Sequence, residues 1–170
     1  MAELEKSSAA LKGLLANSAP DAKRTEAQKI IRSFFDSEEL ARRALTSQWD
    51  GINPEQRTEF ARVFRDLIEH YLSKQVQELP NYDLRFAKET ITGSESSVES
   101  TLDTSYQGRR ITVAMEYKLL YEGDRWLVYD VITDEQSMLE NYRTEFNKLI
   151  TNESFDVLLK RLKKRLEKAE

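Results

Sequence analysis

Cysteine is absent from the sequence, which excludes disulfides, thiolate metal sites and cysteine nucleophiles while leaving the compartment open. The single histidine, His70, excludes histidine-clustered metal sites and leaves little for triad chemistry. It falls beside Tyr71 on an amphipathic helix, a place for a partly exposed or satisfied core residue. Five glycines and three prolines are too few for a linker-rich chain, and no phosphate-binding glycine loop, metal-spaced cluster or triad signature occurs. A basic excess is also missing. The formal net charge is −4, so nucleic acid is not expected as a partner. No apolar run approaches ~18 residues, so no membrane-spanning helix is expected. The stretch from Met1 to Leu15 has no basic segment followed by an apolar core and does not read as a signal peptide. A cytoplasmic protein, or a mature exported chain given a new initiator Met, fits equally well.

What is present suits one globular domain over residues 1–170: 39% hydrophobic and 33% charged residues give enough apolar surface for a single core. The periodicity divides it into a helical part (1–80), an antiparallel sheet (82–133) and C-terminal helices (137–168). Leu4, Leu11, Leu14 and Leu15 space a first amphipathic helix, ended by Asn17-Ser18-Ala19-Pro20; a second runs from Asp21 toward Phe34 and Phe35. Asp36 caps a third, with Glu39 at its third position. Asn53-Pro54-Glu55-Gln56 opens a long helix with cap, proline and reciprocal glutamine. Its stripe is Phe60, Val63, Phe64, Leu67, Ile68, Tyr71 and Leu72, and Pro80 closes the segment.

From Tyr82 the period is two. Tyr82, Leu84 and Phe86 alternate with polar neighbours. Val98 to Tyr106 and Ile111 to Tyr121 do the same, with turns at Gln107-Gly108 and Glu122-Gly123-Asp124. Trp126 to Thr133 is apolar on both faces, which predicts a central or doubly covered strand. Ser137 and Ser154 cap two final helices, with stripes Tyr142, Phe146, Leu149, Ile150 and Phe155, Leu158, Leu159, Leu162, Leu166. The fold class is α+β, a curved four-stranded antiparallel sheet covered by helices.

Either placement of the turn after Glu122 puts Val113, Met115, Tyr117, Leu119, Trp126 and Val128 on one face, with Leu84, Phe86 and Leu102 beside them. The long helix stripe covers this face. Where the two surfaces meet they form an ordinary core; where they stand apart they enclose an apolar cavity suited to acyl chains. Periodicity leaves both open. Asp130 shares the parity of Trp126 and Val128. Its carboxylate therefore points into this region, either as a general base with a raised pKa or as a structural partner of Arg143 or a tyrosine hydroxyl. The run Lys160, Arg161, Lys163, Lys164, Arg165, Lys168, broken only by Glu167 and apolar residues, is a solvated helix face or a docking patch for an acidic partner or anionic headgroups.

Five segments, in order, resemble the MlaC family, also called the toluene-tolerance or ABC-transporter auxiliary family. Phe35 to Leu45 followed by Trp49 is similar to its FDFEEMARRALG..W segment, and Asn53 to Phe60, continuing to Phe64 and Leu67, to TPEQRxEFxxxFxxLL. Trp126 to Val131 is similar to WKVYDV, Ser137 to Phe146 to SLVxNYRxQF, and Phe155 to Leu162 to GFDGLIxRL. The likeness spans residues 20–166. Thr46 stands where the family has glycine, and Asp134-Glu135-Gln136 replaces Glu-Gly-hydrophobic.

The resemblance implies a fold related to the nuclear-transport-factor-like cone, enclosing an apolar cavity. It also implies a periplasmic, monomeric carrier of Gram-negative bacteria, trimmed of its leader. Such a carrier shuttles diacyl phospholipid between an outer-membrane Mla-type lipoprotein and an inner-membrane Mla-type ABC transporter, maintaining outer-membrane lipid asymmetry. Headgroups stay exposed, no enzyme activity or cofactor is involved, and phospholipid is the cargo. The residues expected to line the cavity are Phe60, Val63, Phe64, Leu67, Tyr71, Leu84, Phe86, Leu102, Val113, Met115, Tyr117, Val128, Tyr142 and Phe146. Rival readings are a cone-fold isomerase or dehydratase with Asp130 as base, a hopanoid or polycyclic-lipid carrier, and an interaction module with a filled core.

Overall fold

Helix starts are written locally in side chains, and the computed structural model forms them as the sequence predicts. It describes residues 1–17, 20–78, 82–106 and 108–169; the predicted punctuation at Ser18, Ala19, Pro80 and Gln107 lies outside the described residues. The N-terminal helices are α1 (Ala2–Asn17), α2 (Pro20–Phe34), α3 (Ser37–Leu45), the short α4 (Gln48–Gly51) and α5 (Pro54–Glu78). Asp36 accepts from the Glu39 amide at 2.9 Å and so caps α3. Asn53 and Gln56 exchange bonds (Gln56 N to Asn53 Oδ1 2.8 Å, Asn53 N to Gln56 Oε1 3.1 Å), a capping box that fixes the start of α5. After the sheet come α6 (Met138–Asn152) and α7 (Phe155–Ala169), whose first turns are bound by Ser137 Oγ at 3.0 Å and Ser154 Oγ at 3.3 Å.

The sheet runs β1 (Asp83–Thr92), β2 (Glu95–Tyr106), β3 (Arg109–Glu122), β4 (Arg125–Thr133) and β5 (Gln136–Ser137), in that spatial order, with antiparallel neighbours throughout. It has five strands rather than the predicted four. Asp134 and Glu135, at φ 46° and 65°, turn the chain back for a two-residue fifth strand. β1 extends to Thr92 because the Gly93-Ser94 turn, with Gly93 at φ +61°, lies farther out than the alternation suggests. Residues 87–95 are exposed on both faces, so no apolar period marks them. β4 lies between β3 and the short β5, which pairs only with its last two residues. Its outer edge is covered by the α2–α3 junction, where the Asp36 amide donates to Val128 O at 2.6 Å.

The turn at Gly123-Asp124 pairs Glu122 with Arg125, Tyr121 with Trp126 and Leu119 with Val128. A β-bulge then leaves Tyr129 unmatched, and the register resumes as Lys118–Asp130 and Tyr117–Val131. One inserted residue exchanges the faces of everything after it. Val131 and Thr133, not Asp130, therefore continue the apolar face.

The filled core lies among α3, the first half of α5, α6 and α7. Phe60, Phe64 and Phe146 are fully buried there, with ring centroids 5.2 to 5.7 Å apart, and the Tyr142 ring meets Phe64 edge-on at 4.9 Å. An ion pair between an exposed guanidinium and a buried carboxylate ties α2 to α5: Arg32 Nε and Nη2 donate to Glu69 Oε1 and Oε2 at 2.8 and 2.5 Å. Glu69 is 2% exposed, a burial tolerable for a carboxylate only with such a partner.

Candidate functional site

The second half of α5 packs on α2 and, together with α1 and α2, borders apolar space over the sheet. An inner chamber of about 150 Å³ is walled by Leu4, Ser7, Ser8 and Leu11 of α1, by Ile31, Phe34 and Phe35, by Leu72 and Val76 of α5, and by Tyr82, Leu84, Phe86, Leu102, Met115, Tyr117 and Val131 at the sheet. An outer groove of about 750 Å³ is lined by Tyr71, Leu72, Gln75 and Val76, by Leu102, Thr104, Ile111, Val113, Met115, Val131, Thr133, Asp134 and Gln136, and by Met138, Asn141 and Tyr142 at the start of α6. Leu72, Val76, Leu102, Met115 and Val131 belong to both, so chamber and groove adjoin. The register explains the shared wall: Leu84 opposes Leu102, Leu102 opposes Val113, and Tyr117 opposes Val131.

The wall is apolar, and neither lining contains a lysine or arginine among the described residues. Threonine hydroxyls and the Gln136 and Asn141 amides occur in the groove rather than the chamber. The Tyr117 hydroxyl is pushed up to about 12 by burial and sits 3.8 Å from Met115 Sδ; burial raises Tyr142 to about 12 as well, and raises Tyr82. These hydroxyls stay neutral at any physiological pH. The arrangement can take up elongated apolar matter, with weakly polar contacts in the groove.

Of the fourteen residues expected on the wall, Tyr71, Leu84, Phe86, Leu102, Val113, Met115, Tyr117 and Tyr142 line the chamber or groove. Phe60, Val63, Phe64, Val128 and Phe146 are buried in the filled core, and Leu67 packs against it. Along α5 the stripe passes from the filled core at Phe60 and Phe64 to the cavity wall at Leu72 and Val76, so one continuous stripe serves two purposes. The wall also uses residues not assigned to it from sequence. Leu72 and Val76 continue the α5 stripe, Leu4 and Leu11 come from α1, and Val131 arrives through the bulge.

Asp130 lines neither cavity. It is 4% exposed, its Oδ2 accepts from Ser137 Oγ at 2.6 Å, and its Oδ1 accepts from the Leu139 amide at 2.9 Å. The carboxylate holds the first turn of α6, where the helix dipole favours negative charge. The expected placement in the apolar region fails because the Tyr129 bulge turns the side chain away. Arg143 is not its partner; it pairs with Glu140 and donates to Arg43 O at 3.3 Å. Among the described residues no group of three or more His, Asp or Glu could hold a metal ion, and no helix is long and apolar enough to cross a membrane.

A third cleft, lined by Arg32, Arg57, Arg62, Arg65 and Arg125 beside Trp49 and Leu127, differs in kind. Arg32 is bound to Glu69, Arg62 and Arg65 to Asp66, Arg57 to the carbonyls of Trp49 and Asp50, and Arg125 to that of Ser33. Its cations tie elements of the chain together.

No curated protein sequence matches the chain. Among solved structures, the phospholipid-binding protein from Ralstonia solanacearum, determined in complex with a phospholipid, superposes with a TM-score of 0.82 over 99% of this chain and 97% of its own, at 17% identity. That likeness establishes the fold. A second solved chain, whose name carries NTF2, covers 41% of this chain and 60% of its own at 13% identity and a TM-score of 0.38, too low to support a relation to the cone. The family described as MlaC protein matches residues 5–164. A match over nearly the whole length places each segment quoted above within one family pattern, and the chain belongs to the MlaC family.

Proposed function

We propose that this protein is a periplasmic carrier that holds a diacyl phospholipid by its tails in the chamber and groove. It moves the lipid, as a monomer and without catalysis, between the outer membrane and an inner-membrane ABC transporter, and so maintains lipid asymmetry. The observation that carries this reading is the adjoining apolar chamber and groove over the sheet, with no lysine or arginine in either lining among the described residues. A site built for a particular headgroup would place arginine or lysine there. Here the tails provide the affinity, at about 0.8 kcal/mol per buried methylene, and the headgroup is left to solvent. Membership of the MlaC family and the phospholipid held by the structurally similar Ralstonia protein both favour the same cargo.

The reading is tested by native mass spectrometry of the purified protein, followed by organic extraction and lipid analysis. Diacyl phospholipid at defined stoichiometry is expected. Met115 belongs to both spaces and is only partly buried. Met115→Asp puts a charge at their junction, and the variant should lose its lipid while circular dichroism remains that of the wild type. A folded Met115→Asp protein that retains lipid refutes the site. A polycyclic lipid in the extract keeps the carrier and changes the cargo.

A further inference from the structure

The six basic residues of α7 separate by what they touch. Arg161 pairs with Glu153 and Lys163 with Glu59, each at 2.5 Å, and Arg165 pairs with Glu145. These pairs fasten α7 to its neighbours. Lys160, Lys164 and Lys168 are exposed and, among the described residues, make no ion pair or hydrogen bond. Spaced by four residues, they form one ridge, with about 6 Å between successive stems. The ridge runs against the sign of a chain whose net charge is −4.

The ridge has a direction. Arg165 meets Glu145 and Arg161 meets Glu153, so α7 returns antiparallel along α6. Its last turn, with Lys168, therefore lies beside the first turns of α6, which give Met138, Asn141 and Tyr142 to the groove. Tyr71 and Ile111 also line that groove. They are 48% and 40% exposed, two of the four large hydrophobic side chains left exposed among the described residues. A line of free ammonium groups thus leads to an opening edged by exposed apolar side chains.

We propose that this end of the molecule docks on an anionic lipid bilayer, with the Lys160–Lys164–Lys168 ridge on the headgroup phosphates and the groove opening toward the membrane. The inference rests on the reading of the groove as an acyl site. The chemistry favours a bilayer over an acidic protein. Carboxylates fixed on a protein surface are matched by the planar fork of arginine, and both arginines of α7 are committed within the molecule. Hydrated ammonium groups on flexible stems suit phosphates that diffuse laterally. A tyrosine and an isoleucine beside them suit the boundary between headgroups and acyl chains.

The experiment is vesicle flotation with phosphatidylcholine alone or in equimolar mixture with phosphatidylglycerol. The wild type should float with the mixed vesicles and not the neutral ones, and added salt should release it. The variant K160Q/K164Q/K168Q should bind the mixed vesicles more weakly by about fivefold per lysine, on the order of a hundredfold in all. The control K6Q/K29Q/K88Q makes the same change in net charge elsewhere and should bind as the wild type does. Lipid extraction from all three proteins keeps the two readings separate, because the ridge variant should retain its bound phospholipid. Equal loss in the control, wild-type binding by the ridge variant, or no binding of the wild type to mixed vesicles overturns the proposal. So does ridge-dependent capture of soluble polyglutamate without capture of vesicles, which would assign the ridge to an acidic protein.

Discussion

Replacing Asp130 by alanine should destabilise the protein by about 3 kcal/mol without acting through the proposed lipid site. The side chain accepts two bonds, from Ser137 Oγ at 2.6 Å and the Leu139 amide at 2.9 Å. Bonds to a charged acceptor contribute about 1.5–3 kcal/mol each, and the carboxylate at the N-terminus of α6 adds roughly 0.3–1 kcal/mol. Relief from burying the charge offsets part of this sum. The two donors do not suffer equally. Ser137 Oγ still accepts from the Glu140 amide at 3.0 Å, whereas the Leu139 N–H is buried and loses the carboxylate. For a domain of this size the melting temperature should fall by about 6–12 °C. Asp130→Asn keeps an oxygen for Leu139 and should fall about half as far. Differential scanning calorimetry measures both, and lipid extraction from the folded variants should give wild-type content. An alanine variant that melts with the wild type refutes the capping role; a stable variant that loses or accumulates lipid returns Asp130 to the site.

Two further outcomes follow from strain and burial. Thr46 ends α3 at φ 51°, ψ −129°, in glycine territory, with an exposed side chain. Thr46→Gly removes strain of about 1–3 kcal/mol against a glycine entropy cost of about 0.5–1 kcal/mol, so the urea midpoint should rise with m unchanged. Tyr117 is held neutral up to about pH 12 by burial. Its folded pKa exceeds the unfolded value of about 10, so its contribution is full below that value and is lost as pH rises toward 12. Tyr117→Phe should flatten the loss of stability between those limits, read from urea unfolding at stepped pH, and an unchanged slope would show the hydroxyl to be solvated.

Much of the fold is legible in the sequence because its signals are local. Asp36, Asn53 with Gln56, Ser137 and Ser154 each act within one helical turn, and each helix begins where its cap stands. The β3–β4 hairpin is legible to Val128 because turn and alternation agree. Beyond it the bulge at Tyr129 is not: a single inserted residue leaves no mark on composition, yet it decides that Val131 and not Asp130 joins the apolar face. The site is legible as a face and not as a space. Phe64 and Leu72 obey the same period on α5, but Phe64 meets Phe146 and Tyr142, whereas Leu72 meets the void. That difference depends on how far α5 stands from the sheet at each end, a property of the assembled layers. The contribution of α1 is hidden for the same reason, since Leu4 and Leu11 read as an ordinary amphipathic stripe. The Arg32–Glu69 pair joins residues far apart in sequence with no pattern to announce it.

The junction of chamber and groove at Leu72, Leu102, Met115 and Val131 bears on kinetics as well as capacity. An acyl chain lying in the groove and passing this waist must be drawn out end last. Each methylene beyond the waist, at about 0.8 kcal/mol, lengthens residence roughly fourfold. On the proposed reading, the gain stops when the chain end has filled the chamber, whose wall includes Leu4 and Leu11 of α1. Past that length a further methylene has no dry surface to meet, and the tail must buckle or retreat. The waist and the α1 wall together make a ruler, so dwell time should climb with tail length and then level off, whatever headgroup the lipid bears.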